Sequence, residues 1–239
     1  MRKLFILVMF VTLIAGCSDN TEPVIQKVEN IGNKGDNSKP ELIEEEVEDE
    51  QEIIEYIDFS VDDQLVRVNL DGIPILNNYL IGIIDKETAV EGMNLEEIEG
   101  QSIYLLEFSC QNDLCSYLII NQNEEDQSYL LTDLARYETT HFSPDGSKLA
   151  IQFSRPSSHD YPLHHIITIN TETWELLDLQ NETESESILQ YTWPYISVEW
   201  IDDTSISVTK QSLIGNDEGE KNPTLENQNN TTTSILTIK

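Results

Sequence analysis

The chain has 239 residues, a formal net charge of −32 and a pI near 4.1. So acidic a surface repels nucleic acid and anionic lipid headgroups, which excludes nucleic-acid binding as a function class. It holds only three cysteines and four histidines, and neither set completes a known zinc-ligand spacing.

Arg2 and Lys3 precede LFILVMFVTL (residues 4–13), an apolar run broken only by Thr12, and then Ile14-Ala15-Gly16-Cys17. A membrane span needs about 20 apolar residues, so this run is short for one. It fits the hydrophobic region of a secretory signal peptide followed by small residues. The Ile14-Ala15-Gly16-Cys17 stretch resembles the lipobox of bacterial lipoproteins. The resemblance implies cleavage after Gly16, a diacylglycerol on Cys17, and a protein held on the outer side of the cytoplasmic membrane. Acyl chains contribute about 0.8 kcal/mol per buried methylene, so two or three chains anchor firmly.

Residues 18–40 are polar and lack a sustained hydrophobic period, and residues 41–55 carry nine acids. Together 17–55 read as a disordered, self-repelling acidic tether, with a divalent-cation or cationic-partner patch over 41–55 as the alternative. The folded part is expected to begin near Tyr56. A 56–100 segment then contains a strand around Val66, Val68 and Leu70, a turn at Asp71-Gly72, and one helix over about 74–87. In that helix Pro74 suits the first turn, and Ile75, Leu76, Tyr79, Leu80, Ile83 and Ile84 recur at helical spacing.

From residue 101 to 239 the segments IYLLEF, SYLIIN, SYLLTDL, KLAIQF, HIITIN, WELLDL, ISVEW, SISV and SILTIK follow one another across polar joints. They are rich in β-branched and aromatic residues, the pattern of an all-β region built from successive hairpins. Cys110 and Cys115 flank Gln111-Asn112-Asp113-Leu114, which reads as a four-residue hairpin loop. In an exported chain a Cys110–Cys115 disulfide is the first reading. Buried free thiols, or a metal or redox site, are the alternatives.

In HFSPDGSKLAIQF (141–153), Pro144 presets the first corner of a turn, Asp145 tolerates the second, and Gly146 accepts positive φ. Leu149, Ile151 and Phe153 then share one strand face, and the small Ala150 on the other face implies a closely packed neighbouring sheet. This stretch resembles the SPDG-type repeat of TolB-like and WD40-like β-propellers, where it joins the first two strands of a blade. VEWIDDTSISV echoes it 58 residues later, with Trp200 in place of Phe142 and Asp203 in place of Asp145. About three units fit into 101–239, whereas a closed propeller takes at least four. The expected fold is therefore mainly β, an incomplete or open propeller-like set of antiparallel meanders.

The propeller resemblance carries no catalytic residue, and the chain lacks metalloprotease, nucleophile-elbow and phosphate-loop motifs. No cofactor is expected. His159, Asp160, His164 and His165 cluster in one segment; a loop feeding a strand is the plain reading and a zinc site the sharper one. Tyr191, Trp193 and Tyr195, spaced by two, form an aromatic ridge if extended. They are either a buried plug or a platform for a ligand or glycan. The functional expectation is a non-catalytic interaction module of the cell envelope, resembling lipoproteins of Bacillus-like Gram-positive bacteria, with an envelope protein or glycan as partner. A solute- or cation-binding lipoprotein and an envelope hydrolase are the alternatives.

Overall fold

Among the described residues the strands form four antiparallel sheets of four strand segments each, packed face to face through shared cores, and one separate two-stranded ribbon. The computed structural model describes residues 23–28, 39–46, 53–98, 101–122, 128–158, 161–181, 189–211, 213–214, 224–225 and 231–239. Cys17 and the leader, and His159 and Asp160, lie outside them.

The first sheet runs β1 (Ile25–Val28), β4 (Gln64–Asn69), β3 (Ile53–Val61), β2 (Glu41–Glu46). Two segments assigned to a disordered tether are therefore strands. Val24 and Ile25 are only 2% and 1% exposed, and Leu42 of β2 packs against the same core. Apolar burial at a few inward positions, each worth about 1.5–3 kcal/mol, outweighs the repulsion among outward carboxylates. That repulsion is relieved by Arg67 of β4, which bonds Asp58 at 2.8 Å and Glu45 at 2.6 Å. The single expected helix is two. In α1 (Pro74–Ile81) Gly82 closes the last turn, its N–H donating to the Asn78 carbonyl. In α2 (Lys86–Glu91) Asp85 caps the start by accepting from the Thr88 N–H. A cap at 85 requires extended backbone there, which a continuous helix forbids.

The second sheet is β5 (Asn94–Glu97), β6 (Ile103–Gln111), β7 (Leu114–Asn121) and the first half of β8 (Ser128–Phe142). At Leu134, with φ +47°, β8 turns a corner. From Arg136 it pairs instead with β9 (Lys148–Arg155) and so begins the third sheet. That sheet continues through β10 (Leu163–Asn170) to β11 (Glu175–Leu177). The chain passes through Asp178 directly into β12 (Leu179–Asn181), the edge of the fourth sheet. There it pairs with β17 (Thr231–Ile238), which follows β13 (Tyr195–Asp202) and β14 (Ser205–Gln211). The short β15 (Leu213–Ile214) and β16 (Thr224–Leu225) pair with each other.

Strand alternation delivers one core to each interface. Ile57, Phe59, Val66, Val68 and the helix residues Leu76, Leu80 and Val90 meet Tyr104, Leu106, Leu118 and Ile120 of the second sheet. The opposite parity of those strands, Ile103, Leu105 and Ile119, meets Leu149, Ile151 and Phe153. Ala150 and Ile166, on the far face of the third sheet, meet Val198, Ile206, Val208 and Leu236. The turn at Ser143-Pro144-Asp145-Gly146 closes through a Gly146 N–H to Ser143 carbonyl bond of 2.8 Å, with Gly146 at φ +75°. The Asp145 N–H donates to the Asp203 carboxylate at 2.9 Å, and the Trp200 indole N–H to the His141 carbonyl at 3.0 Å. The two echoing units thus touch through their equivalent turn aspartates.

The fold is mainly β and antiparallel, as the sequence implies. Among the described residues no hydrophobic cluster joins the first sheet to the fourth, and no closed ring or barrel is found.

Candidate functional site

The β6–β7 hairpin is built from two local irregularities. Asn112 and Asp113 both have positive φ, +51° and +62°, giving a two-residue turn with Gln111 opposite Leu114. Such a turn matches the natural twist of paired strands and suits Asn and Asp. The loop is therefore tighter than the four residues read from the sequence. A β-bulge at Ser109, φ +54°, shifts the register between Phe108 and Gln111. In a regular strand residues three apart point to opposite faces; the extra residue of a bulge re-aims the side chains beyond it. Here it brings Cys110 to the side of Glu107.

Cys110 and Cys115 are joined as a disulfide, with Cα atoms 4.1 Å apart. The two sulfurs are unequal in setting, since Cys110 is exposed and Cys115 is buried. Cys110 Sγ lies 3.6 Å from Glu107 Oε1. The other oxygen, Oε2, accepts from the Tyr117 hydroxyl at 2.9 Å, and that hydroxyl accepts from the Tyr137 N–H at 3.1 Å. Burial first, with the neighbouring Glu107 carboxylate adding to it, pushes the Tyr117 phenol well above its ordinary value. It therefore stays a hydrogen-bond donor. These groups border an open cleft of about 610 Å³, whose wall also includes Gly92 after α2, Arg136 and Tyr137. Arg136 is exposed, and among the described residues no carboxylate forms an ion pair with it. Glu107, Cys110 and Cys115 bring ligand atoms within 4.8 Å of one another.

Tyr191, Trp193 and Tyr195 lie elsewhere, in a strap along the edge of β10. The His164 N–H donates to the Trp193 carbonyl at 2.9 Å, and the Tyr191 N–H to the His164 carbonyl at 3.0 Å. Gln190 and Tyr191 have φ of +63° and +60°, so the segment is not extended throughout and the three rings form no exposed ridge. The Arg155 guanidinium sits 4.1 Å over the Tyr191 ring, and the Lys210 ammonium 4.0 Å over Trp193. Tyr195 is 8% exposed and stacks on His164 at 5.2 Å. The strap is a clasp: Tyr191 packs against the core between the second and third sheets and bonds the Thr132 hydroxyl at 2.6 Å, while Trp193 and Tyr195 join the core between the third and fourth.

The histidines are turned to the same structural use. The Tyr195 N–H donates to His164 Nδ1 at 2.9 Å, and the Gln190 N–H to His165 Nδ1 at 3.0 Å. Burial, and then Arg155, hold the His165 imidazole down at about 4; burial lowers His164 as well. Both nitrogens are thereby kept as acceptors. Ser154 faces His164 across the β9–β10 ladder, but its hydroxyl donates to Glu138. Among the described contacts no imidazole acts as base toward that serine.

The cysteine pair was visible in the sequence, whereas Glu107, Tyr117 and Arg136 were not. Parity counting places Glu107 opposite Cys110, and only the bulge reverses it. Comparison of the chain with protein-family models, curated proteins and solved structures finds no match.

Proposed function

We propose that the chain is a lipid-anchored protein of the bacterial cell envelope whose stack of sheets serves binding, not catalysis. Its contact site is the cleft beside the Cys110–Cys115 turn. The observation that supports this reading is the convergence there of two tyrosines and an exposed Arg136 that forms no ion pair among the described residues, beside a disulfide-bonded hairpin tip. In a chain of net charge −32, a cation without an ion-pair partner among the described residues is a natural anchor for an acidic group of an envelope protein or glycan.

Anchoring rests on Ile14-Ala15-Gly16-Cys17 and the leader before it. Val24 is already buried in the first core, seven residues after Cys17. Seven residues span about 25 Å at most, so lipid on Cys17 would hold Val24 within that reach of the bilayer.

Two experiments separate the parts. An alkyne-tagged fatty acid should label the wild-type chain and leave Cys17→Ala unlabelled and released from membranes; equal labelling defeats the anchor. A photo-crosslinking residue at Tyr137 should capture an envelope component in intact cells, and Arg136→Glu should reduce the yield at least fivefold. Equal yields, or none from wild type, defeat the cleft as contact site.

A further inference from the structure

We propose that the β6–β7 hairpin, with its thiols reduced, is a binding site for a thiophilic divalent cation such as Zn²⁺, held by Cys110 Sγ, Cys115 Sγ and Glu107 Oε1. The disulfide is the closed form of the same site.

The geometry of the carboxylate carries the inference. A tetrahedral zinc with sulfur at about 2.3 Å and oxygen at about 2.1 Å sets those two atoms about 3.6 Å apart. In the disulfide form Glu107 Oε1 and Cys110 Sγ are already 3.6 Å apart, and the three ligand atoms all lie within 4.8 Å of one another. Two thiolates on one zinc lie about 3.8 Å from each other. Cysteines with Cα atoms 4.1 Å apart reach that separation by side-chain rotation alone, since the two-residue turn holds the backbone.

Glu107 is also braced as a metal ligand is braced. The Tyr117 hydroxyl occupies Oε2 at 2.9 Å, which leaves Oε1 for a single bond to the ion. Tyr117 is itself fixed by the Tyr137 N–H. Outer partners of this kind orient a ligand and raise affinity. The cleft of about 610 Å³ opens on the same atoms, so the fourth position faces water or a bound solute. A structural zinc site would be closed.

The chemistry balances with a named reductant. A phosphine takes oxygen from water to become its oxide, and the S–S bond becomes two thiols. The cation then displaces two thiol protons as two sulfur–metal bonds form. On the reading that the chain is exported, the thiols leave the cytoplasm reduced, and metal binding and oxidation compete for them. The site itself does not depend on that reading.

The test uses the purified chain carrying Cys17→Ser, so that only these two thiols remain. After phosphine reduction without oxygen, Cd²⁺ should raise an ultraviolet thiolate-to-metal charge-transfer band that saturates at one ion per chain. Zn²⁺ should abolish that band by competition, and the oxidised protein should give none. Glu107→Gln should weaken Cd²⁺ binding at least tenfold with the band retained, and Tyr117→Phe about tenfold. Circular dichroism and re-formation of the Cys110–Cys115 disulfide on reoxidation verify that each variant is folded. A folded, reduced chain without the band overturns the proposal. So does saturation at half an ion per chain, which means bridging between two molecules, or unchanged affinity in Glu107→Gln.

Discussion

The strap at residues 189–195 and the disulfide hairpin at 103–121 are both rich in tyrosine, yet they put it to opposite uses. In the strap each aromatic ring has a partner on a neighbouring strand: Arg155 over Tyr191, Lys210 over Trp193, His164 against Tyr195. In the hairpin, Tyr117 spends its hydroxyl on orienting Glu107 toward an exposed sulfur beside an open cleft. Aromatic spacing in a sequence reports that rings are clustered. Whether they clasp or bind is decided by what the neighbouring strands supply, and here the cations of β9 and β14 supply the clasp.

The contrast makes the strap the more fragile region. Tyr195→Ala removes a ring that is 8% exposed between the third and fourth sheets. It should destabilise the chain by about 3–5 kcal/mol in urea unfolding. A loss below about 1 kcal/mol would return Tyr195 to the surface and revive the ridge.

Acid should loosen the same region. His165 is held down at about 4 in the fold by burial and then by Arg155, against about 6.5 in an unfolded chain. A lowered folded value means that the neutral imidazole is the folded form. Its stabilisation is complete above pH 6.5 and is lost as pH falls from 6.5 through about 4. The effect is roughly 3 kcal/mol, and His165→Gln should flatten that part of the stability–pH curve. Protonation also removes the acceptor of the Gln190 N–H, so hydrogen exchange at 189–192 should rise first.

These contrasts show how far the sequence could be read. The turn at 143–146, the strands after residue 101 and the cysteine hairpin were legible because Pro, Gly and apolar alternation act locally. Strands β1 and β2 were not. Glu44, Glu45 and Glu46 read as a solvated run, whereas what holds β2 on β3 is non-local: Leu42 packs against the first core, and Glu45 pairs with Arg67, 22 residues further on. The helix over 74–87 was over-extended because Ile83 and Ile84 keep helical spacing, while the cap at Asp85 restarts the chain; Ile84 is fully exposed. At the candidate site the Cys110–Cys115 pairing followed from proximity. The role of Glu107 depends on one positive-φ serine that no periodicity announces.

At the hairpin, reducing the disulfide should cost less than losing the clasp. The cysteines are five residues apart, and closing so short a loop restricts the unfolded chain by only about 2 kcal/mol. The two-residue turn and the ladder on either side remain. Reduced protein should therefore stay folded, with a modestly lower urea midpoint and unchanged slope. Complete unfolding on reduction would mean that the bond holds the hairpin, and that no reduced site exists for a cation to enter.

The smallest effect on stability is expected at Arg136, and there the comparison between the regions is sharpest. Its guanidinium is exposed and forms no ion pair among the described residues, so Arg136→Ala should change stability by less than about 0.5 kcal/mol. Arg155, also a cation on a β-strand, lies over Tyr191 and donates to the Asp133 carbonyl at 2.5 Å. Arg155→Ala should thus cost about 1–2 kcal/mol, through the lost contact with the Tyr191 ring and the lost charge-assisted hydrogen bond. If the two arginines prove equally costly, Arg136 is structural and the cleft loses its anchor. If Arg136→Ala is neutral in unfolding yet lowers crosslinking at the cleft, the charge is kept for something outside the chain.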